Sequence, residues 1–391
     1  MLNYEQLLSK RVQEVKPSGI RKFFDIARTM DDVISLSVGE PNFKTPYAIR
    51  EAGIQSLQRG KTFYTGNSGL DELRREICRY LSRRFRLEYD PKQETIVTVG
   101  GSEGIDIFLR AVLDPGDEVL IPEPCYVSYL PITQLANAVP VPIPCRAEDG
   151  FRLTAEALRA AITPKTKALI LPFPNNPTGA VMRREHLEQI AAVLRDTSVL
   201  VLSDEIYAEL TYAGDRHVSI AELPGMWERT VVVNGFSKAY AMTGWRLGYC
   251  CGPAPLIKEM LKIHQFAIMC APTTAQYAAI EALRNGDEAI SKMVADYDIR
   301  RRLLVAELAR IGLPCFDPEG AFYCFPDIRA AGLSSDDFCK ALLMEQHVAI
   351  IPGTAFGASG EGFARVSYCY AIEHLVEAVK RMEKFLAGKI G

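Results

Sequence analysis

Val199-Leu200-Val201-Leu202-Ser203-Asp204-Glu205-Ile206-Tyr207 passes without a break from four apolar residues to a hydroxyl, two carboxylates and a phenol. An apolar run that short, with no polar alternation, predicts a strand buried on both faces, and such strands belong to parallel sheets covered by helices. Outward from it the texture repeats. Thr95–Val99, Glu118–Ile121 and Lys167–Leu171 precede it, and Thr230–Val233 and Leu247–Cys251 follow. Between them Leu70, Leu73, Ile77 and Leu81, and later Leu187, Ile190, Ala191 and Leu194, recur at the spacing of one helical face, as crossover helices require. Residues 46–285 are therefore read as a large α/β domain with a mostly parallel sheet.

After Ala275 the pattern changes. A long helical stretch from Asp287 to about Arg310, which Gly312 can close, leads into shorter strand signals at Ala321–Phe325, Val348–Ile351 and Phe363–Tyr368 and a final amphipathic helix, Ile372–Leu386. Residues 286–391 are read as a smaller α+β domain. Residues 1–45 lack sheet periodicity until Val33–Val38, and are assigned to that smaller domain or to a cover over the site.

With 48% hydrophobic and 24% charged residues, a 391-residue chain can bury one large core and a second, smaller one. Its 45 basic and 48 acidic residues are dispersed and give a net charge of −3, without the basic face that nucleic acid or anionic lipid demands. Small-molecule partners are favoured. The opening Met1-Leu2-Asn3-Tyr4-Glu5 carries no secretory pattern and no apolar run reaches membrane-spanning length, so a cytoplasmic protein is expected. Ten cysteines without Cys-x-x-Cys and five scattered histidines predict reduced, mostly buried thiols and no metal site.

Doubly wound sheets bind ligands beyond the carboxyl ends of their strands. There the chain places Gly100-Gly101-Ser102-Glu103-Gly104, Asn175-Asn176-Pro177-Thr178-Gly179, Asp204-Glu205-Ile206-Tyr207 and Ser237-Lys238. Each alone has a structural explanation: a tight turn, a turn again, a helix cap, a solvated lysine. Together they would set glycine amides, a side-chain amide, a carboxylate, a phenol, a hydroxyl and an amine around one rim.

The stretch from Asn234-Gly235-Phe236-Ser237-Lys238 to Met242-Thr243-Gly244-Trp245-Arg246-Leu247-Gly248 resembles the lysine signature of the class I aminotransferases, fold-type I enzymes that use pyridoxal 5′-phosphate (PLP). Asn176-Pro177-Thr178-Gly179, Asp204-Glu205-Ile206-Tyr207 and Arg365 match that family's other marks in the same order. Ser18-Gly19-Ile20-Arg21-Lys22-Phe23 and Gly320-Ala321-Phe322-Tyr323 are most similar to its bacterial aromatic, aspartate and acetyl-diaminopimelate branch. The resemblance implies a large PLP-binding domain with a smaller one beside it, and PLP held as an internal aldimine on Lys238. It further implies Asp204 on the ring nitrogen, Asn176 and Tyr207 at the phenolic oxygen, and Tyr126 stacked on the ring. Gly101, Ser102, Ser237 and Arg246 would hold the phosphate. Tyr64 would reach the phosphate of the other subunit of a homodimer, while Arg365, with Gly39 and Asn176 beside it, would bind the substrate α-carboxylate. Arg21 and Lys22, beside Phe23 and Phe24, form either a lid or a solvated helix face.

The implied activity is ping-pong transfer of an amino group from an L-amino acid to a 2-oxo acid, 2-oxoglutarate being the expected acceptor. A C–S β-lyase on the same fold is the alternative within PLP chemistry. A non-enzymatic sensor domain of a transcription regulator would need a DNA-binding module, and too little chain precedes Gly39 for one. A nucleotide-dependent dehydrogenase would need Gly-x-Gly-x-x-Gly after a strand, which the chain lacks.

Overall fold

The computed structural model describes residues 2–17, 19, 30–212, 214, 216–387 and 389. Ser18–Phe23, apart from Gly19, and the expected lid of Arg21, Lys22, Phe23 and Phe24 lie outside them. The first strand, Ile34–Ser35 (β1), pairs in parallel with residues 348–349, so the onset of strand character at Val33 joins the N-terminal segment to the C-terminal part of the chain.

The apolar runs assemble into one seven-stranded sheet. Its strands are Thr95–Thr98 (β2), Glu118–Glu123 (β3), Val139–Pro144 (β4), Thr166–Leu171 (β5), Leu200–Asp204 (β6), Thr230–Gly235 (β7) and Gly248–Cys251 (β8), in the order β2-β8-β7-β6-β5-β3-β4. All neighbours are parallel except at β8, which runs antiparallel to both β2 and β7. The sequence reading did not anticipate β4. Its alternating prolines disguise it, and an edge position tolerates them because one side of the strand needs no N–H donors. The periodic stretches form the helices Asp71–Phe85, which buries Leu73, Ile77 and Leu81, and Arg184–Leu194, which buries Leu187, Ile190 and Leu194. The helix Gly100–Val112 packs on β7 and β8, and Gly104 permits the close approach: a Cβ there would lie 2.5 Å from Cys250 Sγ.

Beyond the sheet, the helices Asp287–Arg310 and Ile372–Leu386 match their expected spans, and Gly312 follows the first with a φ of 84°. Three short antiparallel strands, Tyr323–Cys324 (β9), Ile351–Pro352 (β11) and Ala364–Ser367 (β12), form a sheet in the order β11-β12-β9. The expected strand Val348–Ile351 is two strands: Val348–Ala349 (β10) pairs with β1, and β11 leaves for β12. That division carries a backbone connection from β1 to β12, the strand bearing Arg365. Among the described residues, no helix is long and apolar enough to cross a membrane.

Candidate active site

The carboxyl ends of β2, β3, β5, β6 and β7 open on one cavity of about 320 Å³. Parallel strands explain why their following residues meet: Gly101 and Ser102 after β2, Tyr126 after β3, Asn176 after β5, Asp204 and Tyr207 at the end of β6, Ser237 and Lys238 after β7. Because β8 runs the other way, it is the residue before it, Arg246, that reaches the same rim. Gly39 and Arg365 close the opposite side. Tyr64 is not brought in; it stands 80% exposed on the surface of the subunit.

Burial sets the acid–base character of the cavity. Lys238 Nζ donates to Gly39 O at 2.6 Å, and desolvation, with Arg365 and Arg246 adding to it, lowers its amine to about 8. Among the described residues, no cation is paired with Asp204. Desolvation raises its carboxyl to about 6, although Tyr129 Oη donates to Oδ2 at 2.7 Å and Ile206 N–H to Oδ1 at 3.2 Å. Tyr129 is a residue that sequence reasoning missed. It stands three residues after Tyr126, but nothing in that spacing reveals that its hydroxyl reaches Asp204 at the end of β6.

The other end of the cavity is a cradle for an anion. Gly100 opens its helix with a φ of 76°, no side chain caps the first-turn amides, and Ser102, Ser237 and Arg246 surround them. A Cβ at Gly100 would lie 2.7 Å from Arg246 Nη2, so the guanidinium sits directly over the helix start.

Arg365 is held on all sides but one. Its guanidinium carbon lies 4.5 Å from the Tyr323 ring centroid and 4.7 Å from that of Phe356. Nη1 donates to Asn176 Oδ1 at 2.9 Å and Nη2 to Ser37 O, while Nε is buried with no acceptor among the described residues. No carboxylate is paired with Arg365 among the described residues, and one entering the cavity that Arg365 lines would supply the missing counter-charge. Tyr323, the second residue missed, also meets Tyr207 hydroxyl to hydroxyl at 2.9 Å. Its hydroxyl occupies the space above Gly39, where a Cβ would lie 1.9 Å away. Glycine is therefore required at position 39.

These features fit PLP one for one. A dianion needs clustered N–H, O–H and guanidinium donors, a pyridinium needs a buried carboxylate, and an aldehyde needs an amine whose pKa has been lowered.

Known proteins agree. The family described as aminotransferase class I and II matches residues 31–382. A putative aminotransferase, YugH, of Bacillus subtilis is 55% identical over 97% of this chain and 98% of its own length. An aspartate aminotransferase of Pyrococcus abyssi is 47% identical, covering 98% and 99%. The crystal structure of an aromatic aminotransferase from Pyrococcus horikoshii superposes with a TM-score of 0.90 at 45% identity, over 94% of this chain and 99% of that one. The chain thus belongs to the class I and II aminotransferases, PLP-dependent enzymes that exchange amino groups between amino acids and 2-oxo acids.

Proposed function

We propose that this aminotransferase binds the α-carboxylate of an L-amino acid at Arg365 and uses Lys238 to move the Cα proton. The observation that carries the reading is a single cavity holding a lowered amine, a raised carboxylate and, between sheet and helix, an anion cradle. When bound, PLP supplies an aldehyde that condenses with amines and a ring that accepts the electron pair of the broken Cα–H bond. Asp204 holds a proton on the ring nitrogen, and gains there the charged partner that its burial lacks. Lys238 Nζ would accept the Cα proton and hold it for return, the role its lowered amine in the cavity suits.

Asn176 spends its Oδ1 on Arg365, which leaves Nδ2 to donate to the phenolic oxygen alongside Tyr207. Gly101, Ser102, Ser237 and Arg246 bind the phosphate, and Tyr126 covers the ring. Gly39 O, which receives Lys238 Nζ, parks the amine on the substrate side. Residues 46–285 serve as the cofactor domain and 286–391 with 1–45 as the smaller domain carrying the Arg365 clamp. Two such chains form a homodimer in which Tyr64 completes the neighbour's phosphate site. Their turnover alternates an amino acid and a 2-oxo acid, with 2-oxoglutarate as acceptor.

Absorbance of the holoprotein tests this. Titration with single amino acids, without acceptor, should shift the visible band and release one 2-oxo acid per subunit, and 2-oxoglutarate should restore the band as glutamate forms. Ammonia released without an acceptor would instead mark a lyase.

A further inference from the structure

Glu123 has no part in that scheme, yet it is a carboxylate only 3% exposed at the carboxyl end of β3, with no cation paired to it among the described residues. Its donors come from the segment between β11 and β12: Ser359 Oγ at 3.4 Å and the backbone N–H groups of Ala358 and Ser359. Desolvation leaves its pKa above the ordinary carboxylate range even so. The approach requires Gly357, which has a φ of 121° and at which a Cβ would lie 2.3 Å from the Glu123 carboxyl carbon. Two residues past Glu123, Cys125 N–H donates to Phe356 O at 2.9 Å. The end of β3 and the residues just after it thus hold this segment by side chain and by backbone, and the segment presents Phe356 to Arg365.

We infer that Glu123 is a positioning residue for substrate-carboxylate recognition: it fastens the Gly357–Gly360 turn to β3 and so fixes Phe356, one of the two rings that set the plane of Arg365. A planar guanidinium meets a carboxylate through two parallel bonds only when the planes coincide. If the Phe356 side of the sandwich loosens, the plane tilts and one bond weakens. Amino acid and 2-oxo acid both carry the α-carboxylate, so both should be affected together. The groups assigned to proton transfer are held elsewhere, Lys238 on Gly39 O and Asp204 on Tyr129 and Ile206, and should be spared. The inference rests on Arg365 being the carboxylate clamp.

Steady-state kinetics of the holoenzyme variants Glu123→Ala, Glu123→Gln, Phe356→Leu and Glu123→Ala/Phe356→Leu, with Arg365→Lys as reference, test it. Glu123→Ala should raise KM for both substrates about tenfold, the scale of one charge-assisted hydrogen bond. The holoenzyme spectrum should be unchanged and kcat should stay within about twofold. Glu123→Gln keeps an acceptor oxygen and should fall between, and it decides the matter if the alanine variant does not fold. The double variant should be no worse than the worse single one. Unchanged KM in the Glu123 variants while Arg365→Lys raises it, additive effects of Glu123→Ala and Phe356→Leu, or a loss confined to kcat would each overturn the inference. An Arg365→Lys variant with wild-type KM would instead remove the clamp reading, and this inference with it.

Discussion

At the scale of single residues the site depends on two displaced ionisations. The Lys238 amine, lowered to about 8 by burial, is neutral in a larger fraction at neutral pH than an exposed lysine, and only the neutral amine attacks an aldehyde. Uptake of PLP by cofactor-free protein should therefore accelerate as pH rises toward 8 and level off above it, which stopped-flow absorbance would register. Lys238→Arg keeps the charge but removes the nucleophile and proton carrier, so kcat should fall at least about a thousandfold. Asp204 is displaced in the opposite sense, its carboxyl raised to about 6. Its anion is the form that pairs with a protonated ring, so PLP affinity should weaken as pH drops through that value. Tyr129→Phe deletes the donor that opposes the shift, and the midpoint should move further up in fluorescence titrations of the apoprotein. An unmoved midpoint would disconnect Tyr129 from the ionisation of Asp204. That Asp204 and Lys238 stand on the rim was legible in the sequence because one ends a strand and the other lies just beyond one, while their roles were implied only by the family resemblance. Tyr323 entered only as part of a motif and Tyr129 not at all, since the partners that give them meaning, Tyr207 and Asp204, lie 116 and 75 residues away.

Elements were legible where burial is uniform. Strands β5, β6 and β7 are apolar on both faces, so their pattern survives in the chain unaided. The edge strand β4 does not have that constraint, and its prolines erased the signal. Direction was not legible for β8, because a buried antiparallel strand carries the same apolar residues as a parallel one. Yet its reversal is what brings Arg246 to the helix start after β2. That junction is tight on every side: Gly100 faces Arg246, and a Cβ at Gly248 would lie 2.7 Å from Gly100 C. Gly100→Ala should therefore displace the guanidinium and strain a backbone with a φ of 76°. PLP affinity should fall about tenfold or more, with the thermal transition of the apoprotein lowered only modestly. A variant that binds the cofactor normally would show that the junction does not form the phosphate cradle.

For the molecule as a whole, the exposed surface holds what the cavity lacks. Phe63 and Tyr64 stand 82% and 80% exposed, and Tyr47, Ile54, Leu57, Phe266 and Met269 are exposed as well. The loop bearing Tyr64 is nevertheless fastened in place. Gln276, fully buried, accepts from Leu70 N–H at 2.8 Å and donates to Thr65 Oγ1 at 3.1 Å, while Thr273 Oγ1 donates to Phe63 O at 2.8 Å. Large apolar groups held rigidly in water are characteristic of surfaces that are covered by a partner. Motif order is the same whether Tyr64 serves its own cavity or another, but its exposed position outside its own favours the second. Hybrid dimers separate the two. Tyr64→Ala subunits should bind PLP weakly, and Lys238→Ala subunits should be inactive. Unfolding and refolding the two together would yield hybrids with one site built from an intact Lys238 and, across the interface, an intact Tyr64. If Tyr64 acts in trans, that site regains wild-type PLP affinity, and the mixture gains activity at limiting cofactor over the sum of the separate variants. If it acts within its own subunit, every functional lysine remains paired with an alanine at position 64, and mixing gains nothing.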